Sequence, residues 1–263
     1  MRIGVISDVH GNYVALRTVL EHMGSVDALW SLGDIVGYGP QPNECIQAIS
    51  QYPHLSIPGN HDWGTLGRIG LEEFNRDAAL VLEWTRRALS DEHINYLELL
   101  PVTITPQEPS FTLVHASPRD PMWEYLLDLF DAAECFPLFK TRYMLVGHTH
   151  VPIIFRDAMG VVKAAIPEPG EKMRLDVSML AEREDPDNIG ARMIINPGSV
   201  GQPRDGDPRA AYMLLELEDE PSPEKWNATM TFYRVPYPIE EAQMLMEEMN
   251  FPQRLVSRLT LGL

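Results

Sequence analysis

Apolar and polar positions along the first half of the chain recur in a fixed order. Residues 1–7 form a short apolar run that stops at Asp8. After a glycine turn, residues 12–23 place Val14, Leu16, Val19, Leu20 and Met23 at the spacing of a helix with one buried face. The unit then repeats. Residues 27–32 read as a strand running into Gly33-Asp34, and residues 42–50 read as a helix behind the turn VGYGPQP. A third strand, 54–58, ends at Gly59-Asn60-His61-Asp62 and is followed by helical spacing over 71–89 and 91–100. Residues 101–105 and 110–116 read as strands, the second ending at His115. Residues 131–140 read as a helix, and a strand from 142 delivers Gly147-His148-Thr149-His150. Beyond that point 151–155, 192–196, 210–217 and 229–235 are successive strands, with one helix over 239–249. Alternating strand and helix followed by consecutive strands predicts an α/β (α+β) fold, a mixed sheet or two packed sheets flanked by helices.

Residues 166–190, 202–208 and 218–224 are polar and rich in proline or glycine, which predicts surface loops or small hairpins. No repeat or linker divides the chain. One domain over 1–263 is expected, with irregular insertions near 166–190 and 218–224.

Composition narrows the partners. With 263 residues, 44% of them hydrophobic, the chain can bury a full core. Its net charge of −17 excludes a long nucleic acid or an anionic membrane as the expected partner, because both need clustered Lys and Arg. No apolar run approaches the roughly 20 residues of a membrane span, and the first residues lack the apolar stretch of a signal peptide. A cytoplasmic protein is expected. Cys45 and Cys135 sit in separate helical stretches and read as buried thiols, not as a disulfide. Nothing in the sequence specifies an oligomeric partner.

Five predicted strands end in side chains that can bind a metal: Asp8 and His10, Asp34, Asn60, His115, and His148 with His150. Ligands of open α/β sheets bind beyond the carboxyl ends of strands, so these seven can converge. Alternation along an extended segment points His148 and His150 the same way. His22, His54 and His93 lie elsewhere and read as ordinary imidazoles. Carboxylate, imidazole and amide donors without thiolate suit divalent Mn, Fe or Zn and do not resemble a closed structural zinc site. Seven donors exceed what one ion with an open position needs. Two ions sharing a carboxylate would use them all, the arrangement that clamps an in-line displacement at phosphorus.

The blocks DVH, GDIVGYGP, GNHD, VHA and GHTH, in this order, resemble the calcineurin-like metallophosphoesterase superfamily. Within it they are most similar to small bacterial and archaeal phosphodiesterase-like members, through DVHGNYVAL, GDIVGYGPQPNE and NPGSVGQPRDGDPRA. The resemblance covers about residues 1–215 and implies a four-layer αββα sandwich of two mixed sheets between helices. It implies that Asp8, His10, Asp34 and His150 hold one metal, and that Asn60, His115 and His148 complete a second bridged by Asp34. It further implies a phosphoric ester hydrolase in which a metal-bridging hydroxide attacks in line, most simply a phosphodiesterase for a small organic or nucleotide ester. Phosphomonoesterase action, dinucleoside polyphosphate hydrolysis and a noncatalytic protein-interaction scaffold are the alternatives on the same core. His61 matches the histidine that contacts the phosphate and protonates the departing oxygen, and Asp62 would either orient that imidazole or cap a helix. Arg119 and Arg204, just past predicted site loops, are candidate phosphate contacts because guanidinium pairs bidentately with phosphate. Asn12 reads as a helix cap, and Tyr38, Trp63 and Trp123 could wall a pocket for a base or aryl group.

Overall fold

The computed structural model describes residues 1–106, 111–158, 160–176, 192–217 and 227–263. The first sheet contains β1 (Arg2–Ile6), β2 (Ala28–Ser31), β3 (His54–Ser56), β9 (Lys172–Asp176), β11 (Ala210–Leu217) and β12 (Asn227–Val235), in the order β3-β2-β1-β11-β12-β9. The second contains β4 (Thr103–Ile104), β5 (Phe111–Val114), β6 (Tyr143–Leu145), β7 (Ile153–Ala158), β8 (Val161–Ala165) and β10 (Arg192–Asn196), in the order β4-β5-β6-β10-β7-β8. Strands β1, β2 and β3 run parallel, as do β5, β6 and β10, while β11, β12 and β9 pair antiparallel and so do β7 and β8. Both sheets are mixed.

Period-two alternation sorts the side chains into layers. In β1, Ile3 and Val5 face the space between the sheets, and Ile6 faces outward. In β6, Tyr143 and Leu145 face inward and Met144 outward. The inter-sheet core therefore holds Trp30, Phe111, Leu113, Ile195, Met213 and Phe232. On the outer face of the first sheet lie α1 (Tyr13–Met23), α2 (Pro42–Ser50), α4 (Arg76–Ala88), α7 (Ile239–Glu248) and α8 (Gln253–Leu261). The outer face of the second is covered by α6 (Leu129–Cys135), through Ala132 and Cys135. The architecture is an αββα sandwich. Two further helices, α3 (Asn60–Leu66) and α5 (Asp91–Glu98), lie between β3 and β4 in the chain. Cys45 and Cys135 are both buried free thiols.

Several elements depart from the sequence pattern. The helical spacing over 71–89 is broken at Phe74-Asn75, where the Asn75 side chain accepts from Ala78 N and starts α4 afresh after a short 3₁₀ turn, Leu71–Glu73. α6 begins at Leu129 and passes into a 3₁₀ turn at Phe136–Leu138, because Pro137 cannot continue an α-helix. Part of the expected 166–190 loop is a strand: β9 pairs with β12, and Leu175 is buried in the inter-sheet core. Residues 177–190 and 218–224 lie outside the described residues. α8 is a helix beyond those expected, and it buries Leu255, Val256 and Leu259 along one face. The expected surface loop 202–208 begins buried: Gln202 is 1% exposed and lies at the centre described next.

Candidate metal centre

The centre forms where the parallel strands of both sheets end. Backbone bonds lock the loops after β1 and β2 together, from Asp8 N to Gly33 O (3.0 Å), His10 N to Asp34 O (2.8 Å) and Gly11 N to Ile35 O (2.9 Å). The loops after β5 and β6 are joined by Gly147 N to His115 O, 2.7 Å. The two sheets meet where His148 N donates to both oxygens of Asp8, at 3.2 and 3.1 Å. Gly59 is required by proximity: a Cβ there would strike the Asp34 carboxylate. Asp8, His10, Asp34, His148 and His150 all have φ between 52° and 64°, the left-handed region that costs L residues roughly 1–2 kcal/mol each. Tyr38 shares that conformation, and Asn250 is the one further non-glycine case among the described residues. Strain therefore concentrates at the strand ends that aim the donors.

The donors fall into two groups. One oxygen or nitrogen from each of Asp8, His10, Asp34 and His150 lies within 4.8 Å of the others, and the same holds for Asp34, His115 and His148. Asp34 belongs to both: its Oδ2 is 3.5 Å from His10 Nε2 and 3.5 Å from His115 Nε2. His150 Nε2 stands 3.1 Å from His10 Nε2 and 3.3 Å from Asp8 Oδ1. Every imidazole is anchored on its outer side by a carbonyl. Nδ1 donates to Val36 O in His10 (3.3 Å), to Leu32 O in His115 (2.7 Å) and to Gln202 O in His150 (2.6 Å), while His148 donates from Nε2 to Trp123 O (3.2 Å). A carbonyl only accepts, so each bond takes the outer N–H and leaves the inner nitrogen as the lone-pair donor whenever the ring is neutral.

Electrostatics favour a cation. Burial pushes His10 and His150 well below the ordinary imidazole range and His148 down to about 3, so these rings are neutral donors at pH 7. Burial opposes ionisation of Asp34, but the neighbouring His115 and His61 outweigh it and hold the carboxylate low. Burial lowers His115, yet Asp34 beside it wins and raises it to about 9. Burial and the Asp34 charge push Asp8 up to about 7, against the pull of His115. Asn60 Oδ1 and His115 Nε2 are buried without a hydrogen-bond partner. The Asn60 oxygen is an orphaned acceptor that a divalent cation would satisfy, and the same cation would replace the proton on His115 Nε2, so the residues fit the metal that the donor chemistry implies.

His61 packs against His10 at 4.7 Å and Tyr38 at 4.3 Å between ring centroids, and its amide donates to Asp34 Oδ1 at 2.8 Å. Its Nδ1 is buried without a partner, and the residue lines the pocket described below. Asp62 does not orient it. That carboxylate accepts from the amides of Gly59 (2.9 Å), Val36 (3.0 Å) and Ile35 (3.3 Å), so it caps α3 and staples it to the loop after β2. Arg119 is not brought to the centre. Its guanidinium is taken by Glu124, Asp131 and Glu134 on the α6 side. Arg204 does reach it, lining a pocket of about 220 Å³ with Asp34, Asn60, His61, His148 and His150. Tyr38 and Trp123 also line it and Trp63 does not, whereas Phe74, Asn75 and Tyr125 were missed from the sequence. Asn12 caps α1, its side chain accepting from Ala15 N.

Residues 1–220 match the calcineurin-like phosphoesterase superfamily domain. The chain belongs to that superfamily. A metallophosphoesterase crystal structure from Sphaerobacter thermophilus is 45% identical, with a TM-score of 0.82 over 100% of this chain and 99% of that one. An uncharacterized Methanocaldococcus jannaschii protein, MJ0912, is 33% identical across 99% of this chain and 98% of its own length. A symmetrical bis(5'-nucleosyl)-tetraphosphatase of Proteus mirabilis is 30% identical over 136 residues, 50% of this chain and 48% of that protein. This calcineurin-like metallophosphoesterase is a phosphoric ester hydrolase with a buried Asp/His cluster suited to divalent metal.

Proposed function

We propose that this phosphoesterase is a phosphodiesterase with a two-ion centre, acting on a small organic or nucleotide ester. The observation that carries the reading is Asp34, common to two donor groups that otherwise share no residue. Asp8, His10 and His150 would hold one ion with it, and Asn60, His115 and His148 the other; Mn(II), Fe and Zn(II) all accept such donors. When bound, the ions would supply an acidified water and neutralise charge on the phosphoryl oxygens. His61 then faces the ester from the pocket wall. Burial pushes it down to about 4, so the ring is neutral until the phosphoryl anion and the charge developing on the departing oxygen lift it. On substrate binding the ring would take up a proton from solvent, bind the phosphoryl group as imidazolium and pass that proton to the departing oxygen, returning to the neutral form.

Preference for a diester is supported by aromatic walls on two sides. Tyr38 stands beside His61 and His10, while Phe74 and Trp123, 5.0 Å apart, approach from the other side, with Tyr125 4.2 Å from His148. Two organic arms on one phosphorus fit that arrangement better than one. The tetraphosphatase relative makes a dinucleoside polyphosphate the second reading, since two nucleoside arms suit the same walls.

The test combines turnover with elemental analysis. Protein reconstituted with Mn(II) is expected to hydrolyse bis(p-nitrophenyl) phosphate faster than p-nitrophenyl phosphate. Asp34→Ala is expected to lose both metal equivalents and His148→Ala only one. Two equivalents retained by Asp34→Ala would refute the shared carboxylate.

A further inference from the structure

Arg204 lines the pocket and Arg258 flanks the same Tyr38 ring, neither paired with an Asp or Glu side chain among the described residues. Arg204 and Arg258 place their Cζ atoms 5.9 and 5.5 Å from the Tyr38 ring centroid, and that ring packs directly on His61 and His10. Among the described residues neither forms an ion pair. Arg204 donates from Nη2 to Gln202 Oε1 at 3.1 Å, and its Nε is buried without a partner. Arg258 donates from Nε to Leu263 O, and its side chain also hydrogen-bonds Tyr38. Both residues are partly buried. Burial, then the positive charge of Arg204, lowers the Arg258 guanidinium, and the charge of Arg258 in turn reaches His61. The chain carries 38 acidic and 21 basic residues, and among the described ones Glu73 lines the same pocket as Arg204 without an ion pair to it. Two like charges held together and partly desolvated are unfavourable unless an anion arrives.

The fold holds the pair in one frame. The Arg204 loop is tied to the end of α8 by Gly206 N to Gly262 O, 3.0 Å. α8 lies past residue 220, outside the matched superfamily domain, and carries Arg258 with it.

We propose that Arg204 and Arg258 form an anion subsite beside the metal centre, with Arg258 as the specificity-determining residue. The subsite selects esters that carry a second phosphate or comparable anionic group on the arm lying over Tyr38. The inference rests on the phosphodiesterase reading for the position of the reacting phosphate, and is separable from it by a binding measurement. Guanidinium-phosphate bonds are charge-assisted and contribute about 1.5–3 kcal/mol each, so one arginine changes affinity by roughly 10- to 100-fold.

The experiment is a ladder of adenosine mono-, di- and triphosphate, which share one nucleoside and differ in anionic groups. Binding to Mn(II)-loaded protein is measured by calorimetry at fixed free Mn(II), with metal content checked afterwards, and the same compounds are tested as inhibitors of diester hydrolysis. In the wild type the best of the longer nucleotides is expected to bind at least about tenfold more tightly than the monophosphate. Arg258→Ala is expected to collapse that ratio to under about threefold, and Arg258→Lys to restore part of it. Arg258→Gln keeps a polar chain on Tyr38 and carries the same test if the alanine variant does not fold. A ratio unchanged in Arg258→Ala, or a flat ladder in the wild type, overturns the subsite. If no ester is hydrolysed, the phosphodiesterase reading fails while calorimetry still decides the subsite.

Discussion

Asp62→Asn separates two roles that one carboxylate cannot fill together. The wild-type side chain is fully buried and accepts three backbone amides, Gly59 and Ile35 on Oδ2 and Val36 on Oδ1. Asparagine offers a single acceptor oxygen. If that oxygen stays on Gly59 and Ile35, the new NH2 meets the Val36 N–H, and one buried donor loses its partner at a cost of about 1–3 kcal/mol. Losing the charge on the two surviving bonds adds roughly 1 kcal/mol more. Burial, with the Asp34 charge, pushes the Asp62 carboxyl up to about 7, so its removal also relieves an unfavourable charge and offsets part of the loss. A net destabilisation of roughly 2–3 kcal/mol lowers Tm by about 4–12 °C in a chain of this size. Thermal unfolding of ion-free and metal-loaded protein measures it. Because the staple positions both the Asp34 loop and the start of α3, metal retention is expected to weaken, and activity to fall on alkyl and nitrophenyl diesters alike. An unchanged Tm with selective loss on the alkyl diester would refute the reasoning and make Asp62 the partner of His61.

Other outcomes follow from the same geometry. His61→Ala is expected to keep its metals and lose roughly 10²- to 10⁴-fold in kcat on an alkyl diester but less on a nitrophenyl diester, whose leaving group departs as an anion; equal losses would reduce His61 to a phosphoryl contact. Metal uptake is expected to release protons, because His115 at about 9 and Asp8 at about 7 are protonated wholly or in part at neutral pH and must give up those protons to bind. Affinity should therefore rise as pH rises from 6 to 9, and a calorimetric enthalpy identical in buffers of different ionisation heat would contradict this. Arg119→Ala is expected to leave metal content and KM within about twofold of wild type, since its guanidinium is taken by carboxylates and it does not line the pocket; a large rise in KM would return it to the substrate.

The layers of the fold were legible where burial is two-sided. Ile3 and Val5 against Ile6, or Tyr143 and Leu145 against Met144, give strands a pattern that a single sequence displays. Edge strands do not: β8 is largely exposed, and β9 buries Leu175 among Lys172, Arg174 and other polar neighbours, which reads as a loop until its pairing with β12 is seen. The roles of Asp62 and Arg119 were illegible for a different reason. Each is decided by which partner arrives from another element, the amides at 35 and 36 for one and the carboxylates near α6 for the other. Spacing along the chain carries no information about either meeting.

The strand-end donors are a separate case, because chemistry and backbone geometry constrain the same positions. At five of them the chain must turn out of a strand through positive φ, and aspartate and histidine are among the residues that enter that region more readily than most. A side chain chosen for its lone pair is thus also one that tolerates the turn aiming it, so each motif is fixed twice and stays recognisable at short range. Nothing comparable constrains Phe74, Tyr125 or Arg258. Phe74 and Tyr125 line the pocket from a broken helix and a loop, and Arg258 approaches Tyr38 from α8, at positions where no positive φ restricts the residue type. The reaction class is therefore written in contiguous blocks, while the choice of substrate is distributed among residues that only the tertiary structure brings together. Exchanging Arg258 or Phe74 should accordingly redirect which ester is hydrolysed without removing the metals, whereas exchanging Asp34 removes the centre itself.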